Sequence, residues 1–343
     1  MAANALVNAG VAERFAARFA SEGPLDGSYL LDDLESHFQA LVAEAEPLIA
    51  EETRFSPASP AVPALLSRKQ WATANVESML SLMAPLLEKV EQRIAATPMS
   101  PMAQLAYGPA LGAQLGLVLG FMSQRVLGQY DMLAGHENQV WFVGPNIVLT
   151  ERRFGFVPRD FRLWVVLHEL THRSQFEGNP WMREYFLGLV KDLLSDLDLD
   201  ASNVLRRMAG RSDIGPDAPI ALRVLDPGQL EKFNRLQAFM SVIEGHGNFV
   251  MDRIAEHTIP TQPRMRQTLR SGAASGGWLG KLLSKVLGLD LKRAQYLQGQ
   301  AFLDVAFAAG GSDTVALCFE SAEKLPSLTE VRDPQLWLDR VRP

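Results

Sequence analysis

Apolar side chains recur at three- and four-residue intervals from Asp32 to Glu51 and from Lys69 to Ala96, the spacing that lines one face of an α-helix. A proline-rich stretch, Pro57 to Pro63, separates the two. Between Met102 and Gln124 the pattern changes. No charged residue occurs there, and Gly108, Gly112, Gly116 and Gly120 fall four apart, on one helical face. Such a stripe lets another helix approach closely, whether in a bilayer or in a protein interior. Pro109 reads as the start of this helix, leaving about 16 uncharged residues before Arg125 against the ~20 that span a membrane. A buried helix is expected, without stable membrane insertion.

The period switches again at Gln139. Val140, Trp141, Phe142 and Val143 form the best strand candidate, read as continuing through a Gly144-Pro145 turn to Val148, with Ile147-Val148-Leu149 on its far side. Pro158 and Asp160 open the next helix, and Gly178 with Pro180 closes it. Trp181 to Arg207 and Glu231 to His257 read as helices, with a polar loop from Arg211 to Gly228 between them. Thr258 to Ser275 reads as a loop, its Arg264, Arg266 and Arg270 exposed or covering a cleft. Leu279 to Leu289, preceded by Trp278, reads as a short amphipathic helix docked on the core, and Leu291 to Ala309 as a further helix. There is no internal repeat and no clear linker. The chain reads as one domain over residues 1–343, with residues 1–100 a candidate helical subdomain.

Composition narrows the function. Hydrophobic residues make up 47% and charged residues 21% of 343, an ordinary globular balance. A formal net charge of −6 argues against a nucleic-acid partner. One cysteine, Cys318, forms no intrachain disulfide or thiolate metal cluster and fits a reducing cytoplasm. Glu13, Arg14 and Arg18 interrupt any N-terminal apolar run, so no secretory signal is expected.

The chemistry concentrates in Val166-Leu167-His168-Glu169-Leu170-Thr171-His172. Positions four apart share a helix face, so His168 and His172 can reach one ion. Glu169, about 100° round, can contact a water on that ion without ligating it. Zinc makes such a water acidic, and a carboxylate is the general base that takes its proton. The neighbours Phe161, Trp164, Val165, Leu167 and Leu170 make the helix apolar on nearly every side, which places the histidines in a core or cleft.

A catalytic zinc needs a third protein ligand. The extended metzincin pattern needs a glycine at position 175 and a histidine at position 178, where this chain has Gln175 and Gly178. The best downstream segment runs from Met240 to Asp252. Its apolar stripe comprises Leu236, Phe239, Met240, Ile243, Val250 and Ile254, and Glu244 borders it. His246 is the rival. It projects about 200° from Glu244 on a regular helix, so one ion does not take both. Glu244 is preferred, leaving His246 as a group behind the ligands, an oxyanion stabiliser or a packed histidine. Asn248 and Asp252 lie on roughly Glu244's side and are candidates to hydrogen-bond a ligating imidazole. Gly245 and Gly247 suit a close approach by a helix or substrate. Arg293 and Tyr296 are weaker oxyanion candidates.

These segments resemble a known group: zincin-like bacterial proteins, hydrolases of unassigned substrate or linked by name to deazaflavin coenzyme biosynthesis. The matching stretches are Leu127-Gly128-Gln129-Tyr130-Asp131, His168 to His172 with Gln175-Phe176-Glu177-Gly178, Glu244-Gly245-His246 through Met251-Asp252, Lys292 to Tyr296, and Gly299 to Phe302. They cover the chain from about residue 105 onward. The resemblance implies a mainly α, α+β zincin-like fold with a helical body and a small sheet beside the metal helix. It also implies the glutamate-ligand branch, with Glu244 as third ligand. The expected function is a one-zinc metallopeptidase or related hydrolase acting on a peptide or amide. The alternative is a catalytically silent zincin scaffold serving in binding or regulation, a reading that the intact Glu169 disfavours.

Overall fold

The computed structural model describes residues 6–25, 27–95, 101–133, 138–196, 225–272 and 289–342. Helices dominate. In chain order they are α1 (Ala9–Phe19), α2 (Leu34–Thr53), α3 (Arg68–Ala95), α4 (Pro101–Met122), α5 (Gly144–Phe154), α6 (Pro158–Gly178), α7 (Trp181–Asp196), α8 (Pro227–Thr258), α9 (Gln262–Gly272), α10 (Leu289–Ala316), α11 (Leu328–Arg332) and α12 (Pro334–Val341). Among the described residues three short strands, β1 (Val62–Leu66), β2 (Gly128–Tyr130) and β3 (Gln139–Val143), form one sheet in the order β1-β3-β2. β3 is central, parallel to β1 and antiparallel to β2. The mainly α, α+β architecture is the one expected.

β3 shows how the core is divided. Successive strand residues point to opposite faces. Val140 and Phe142 enter the larger apolar cluster, with α2, α6, α8 and α10, and Phe142 stacks on Phe38 at 4.4 Å. Trp141 and Val143 enter a smaller cluster with α1, α3 and α4. The sheet is therefore covered on both sides, which explains the unbroken apolar run in β3. The division does not follow residue 100: α2 belongs to the larger cluster, and α4 joins α1 and α3.

Three local readings change. The stretch after Gly144 is the helix α5 rather than a returning strand, because Pro145 sits in its first turn and Gly155 ends it in a left-handed conformation. An apolar triplet such as Ile147-Val148-Leu149 suits either element, and the flanking residues decide it. The edge strand packed beside α6 is β2, and β3 lies inside the sheet. Second, Gln262 to Gly272 is helical rather than a loop. Asp160 accepts from the Thr261 hydroxyl at 2.6 Å and from its N–H at 3.3 Å, and Met265 is buried beneath the helix. Third, α4 begins at Pro101, with Pro109 inside it. Its glycine face meets α1. A Cβ on Gly112, Gly116 or Gly120 would come within 2.5 Å of Asn8 O, 2.3 Å of Ala12 O, or 2.7 Å of Phe19 Cβ. The helix lies at the periphery, with Leu117 exposed.

Among the described residues, Gln298–Phe319 is the one stretch long and apolar enough to cross a membrane, at a mean hydropathy of 1.4. Its helix is broken at Gly310 and Gly311, where Arg342 donates to Ala309 O at 2.9 Å and to the Thr314 hydroxyl. The amphipathic segment 279–288 and most of the 211–228 loop lie outside the described residues.

Candidate metal centre

Two helices build the site. α6 starts at Pro158, whose ring is tolerated where an N–H has no helical partner, and Asp160 adds negative charge to its first turn. Its residues are buried on nearly all sides. α8 starts with a reciprocal cap, Asp226 accepting from Gln229 N at 2.9 Å and Gln229 from Asp226 N at 2.8 Å. α8 runs past α6 and brings the segment around Glu244 opposite the histidines.

His168 Nε2 and His172 Nε2 lie 3.1 Å apart, and Glu244 Oε2 lies 3.9 Å and 3.5 Å from them. These separations bracket the ~3.3 Å between donors that share a tetrahedral zinc at 2.0–2.1 Å. Glu244 is 6% exposed, so its carboxylate converges with two imidazoles away from bulk water. Burial alone would lower the His172 pKa, but the hydrogen bond and charge of Glu244, then the charge of Glu169, outweigh it and raise it. The pocket thus favours a cation between these side chains. One candidate metal cluster is found among the described residues, and it consists of His168, His172 and Glu244. The donor set fits zinc.

Close packing serves this arrangement on two sides. A Cβ on Gly247 would sit 3.2 Å from His172 Cε1 and 3.4 Å from His168 Cε1, so bare backbone is what lets both rings lie against α8. Gly245 faces away, toward α10. A Cβ there would meet Gly299 C at 2.4 Å, and one on Gly299 would meet Ser241 O at 1.8 Å. Glu169, 9% exposed, lies beside the edge strand: a Cβ on Gly128 of β2 would fall 2.6 Å from Glu169 Cγ. β2 is held from behind by α3, where Trp71 Nε1 donates to Gln129 Oε1 at 2.6 Å and the Ser78 hydroxyl donates to Asp131 Oδ2 at 3.1 Å.

The remaining candidates separate. His246 is buried at 2% exposure, its ring centroid 4.5 Å from that of Phe319 and 5.8 Å from that of Phe55. Burial, and secondarily the nearby His172, lower its pKa to about 3, so it stays neutral. It does not converge on the cluster. Asp252 is not an imidazole partner. It is drawn off by Arg266 at 2.9 Å, Gln300 at 2.7 Å and Gln262 at 2.8 Å, the first and last contributed by α9. The same contact ties Arg266 down rather than leaving it over a cleft. Asn248 is half-buried one turn beyond Glu244. Arg293 and Tyr296 fall on α10, but their side chains lie outside the described residues.

One neighbour, Gln175, was named in the sequence reading but given no role. Gln175 is fully buried and touches both helices: its Oε1 lies 2.9 Å from His172 Nδ1, and its Nε2 lies 2.9 Å from both Ile243 O and His246 Nδ1. The available signal was its position three residues after His172, on the same helical side.

Comparison with known proteins covers nearly the whole chain. Residues 7–338 match the model of a family described as zincin-like metallopeptidase. No curated protein matches. Among solved structures, the chain is similar to a protein from Chloroflexus aurantiacus described as a candidate hydrolase with a novel fold. The two share 31% identity at a TM-score of 0.73, over 98% of this chain and 100% of that one. A match of that extent, with two histidines and a glutamate converging at its centre, places the protein: the chain belongs to the zincin-like metallopeptidase family.

Proposed function

We propose that the protein is a zinc-dependent hydrolase that cleaves a peptide or related amide bond. The observation that carries this reading is the convergence of His168 Nε2, His172 Nε2 and Glu244 Oε2 within coordination range, one residue from a buried carboxylate at Glu169. His168, His172 and Glu244 would hold the ion. Zinc supplies a Lewis acid that acidifies water and polarises a carbonyl. Glu169 takes the proton of the attacking water and returns it to the departing nitrogen as the C–N bond breaks. Gly128 leaves space for that carboxylate, and β2, as an edge strand, offers main-chain groups along which an extended substrate can pair. The reading includes a cytoplasmic location, in keeping with a single buried thiol at Cys318.

The test is metal content of the purified protein together with cleavage of a broad peptide library. Wild type is expected to hold one zinc per chain, and Glu169→Gln to keep the zinc while losing roughly 10²- to 10⁴-fold in turnover. A zinc-loaded wild type that cleaves no faster than Glu169→Gln would replace this reading with that of a metal-stabilised binding scaffold.

A further inference from the structure

The hydrogen bonds of Gln175 have only one consistent direction. Ile243 O accepts and never donates, so the atom 2.9 Å from it is the Gln175 amide nitrogen. Its second proton points to His246 Nδ1, also at 2.9 Å. The amide oxygen is thereby turned to His172 Nδ1 at 2.9 Å, and a carbonyl only accepts, so His172 carries its proton on Nδ1. The neutral ring then presents the Nε2 lone pair to the point shared with His168 and Glu244. By the same reasoning His246 accepts at Nδ1 and carries its proton on Nε2, in a ring that packs against Phe55, Phe249 and Phe319.

We propose that Gln175 is the positioning residue that fixes His172 as an Nε2 ligand, and that His246 acts one step behind it by holding the Gln175 amide in the one orientation that does so. A rotated amide would set its NH₂ against the His172 ring and its oxygen against Ile243 O, two acceptors face to face. His246 accepts the second amide proton and makes that rotation costlier. The relay also stitches the two ligand-bearing helices together, since Ile243 directly precedes Glu244. This inference rests on the metal reading above for its consequence, but the proton positions stand without it.

The experiment is long-range ¹H–¹⁵N spectroscopy of the histidine rings in metal-free protein, well above the imidazole titration range, paired with zinc affinity by chelator competition. In wild type His172 is expected as the Nδ1–H form and His246 as the Nε2–H form. Gln175→Leu should release the His172 preference and weaken zinc binding by roughly 10- to 100-fold, the usual consequence of removing a group that orients a metal ligand. His246→Phe should weaken it less. Combined with Gln175→Leu, it should add little, because both act through one amide. Circular dichroism checks the fold, and Gln175→Met is the substitute if the leucine variant does not fold. An Nε2–H tautomer at His172 in wild type, or a folded Gln175→Leu with wild-type zinc affinity, overturns the proposal. A wild type that takes up no zinc defeats the metal reading instead, and the tautomer spectrum still decides the assignment of Gln175.

Discussion

Where α4 meets α1, glycines at four-residue spacing strip one helix face of side chains, and the two backbones come together along its length. Where α8 passes the metal centre, Gly245 and Gly247 stand two apart and so face different neighbours: α10 on one side, two imidazole rings on the other. The first pattern is repetitive and carries packing information alone. The second is irregular because one stretch of helix performs two tasks, pinned from behind at Gly299 while giving up a side chain beside Glu244. Spacing therefore separates a structural glycine face from a chemical one better than the number of glycines does.

The comparison is most easily broken at α4. A Cβ at Gly116 would meet Ala12 O at 2.3 Å and Ala16 N at 2.8 Å, backbone atoms that cannot swing aside. Gly116→Val should cost about 3 kcal/mol in urea unfolding, at the upper end for overpacking, as α1 is pushed off. Zinc bound per folded chain should not change. Loss of metal from folded Gly116→Val would mean that the α1–α4 layer supports the site, and the two regions would no longer be independent.

The second effect is smaller and falls on chemistry. At Gly128 the obstacle is Glu169 Cγ, 2.6 Å from an added Cβ. That side chain is flexible, so Gly128→Ala should leave stability within about 1 kcal/mol while displacing the carboxylate from its working position. Turnover is expected to fall roughly 30-fold, as displaced catalytic groups typically cause, with zinc affinity unchanged. Equal loss of both would show that Gly128 serves the fold rather than the base.

Much of the site was legible because its signals are local. The turn-spaced pair His168 and His172, the intervening Glu169 and the proline and glycine ends of α6 all lie in one continuous segment. Glu244 was legible because it borders an apolar stripe and so must face inward. Gln175 was not, because its role depends on Ile243 O lying opposite, a fact of helix docking rather than of spacing. Asp252 was misjudged for the same reason: it lies on the side of α8 that meets α9 and α10, where Arg266, Gln262 and Gln300 take its carboxylate. Within the fold, α5 was misread as strand since Ile147 to Leu149 satisfies both periods, and only Pro145 and Gly155 favour the helix. The sequence described each helix face well and the identity of its neighbour poorly.

Gly247 gives the finest test of that distinction. Alanine favours a helix interior by up to about 1 kcal/mol over glycine, so Gly247→Ala should not lower the melting temperature. Its methyl would nevertheless stand 3.2 Å from His172 Cε1 and 3.4 Å from His168 Cε1, and the rings must give way by a few tenths of an ångström. The rings are held at 3.1 Å from each other and His172 is tied to Gln175, so that displacement comes out of the coordination geometry. The expected result is a protein at least as stable as wild type that binds zinc about tenfold more weakly in chelator competition, a loss of ~1.4 kcal/mol. Because fold and metal affinity move in opposite directions, no general loosening of the structure imitates it. Unchanged affinity would mean that the rings have room to spare, and Gly247 would then belong with the packing glycines of α4.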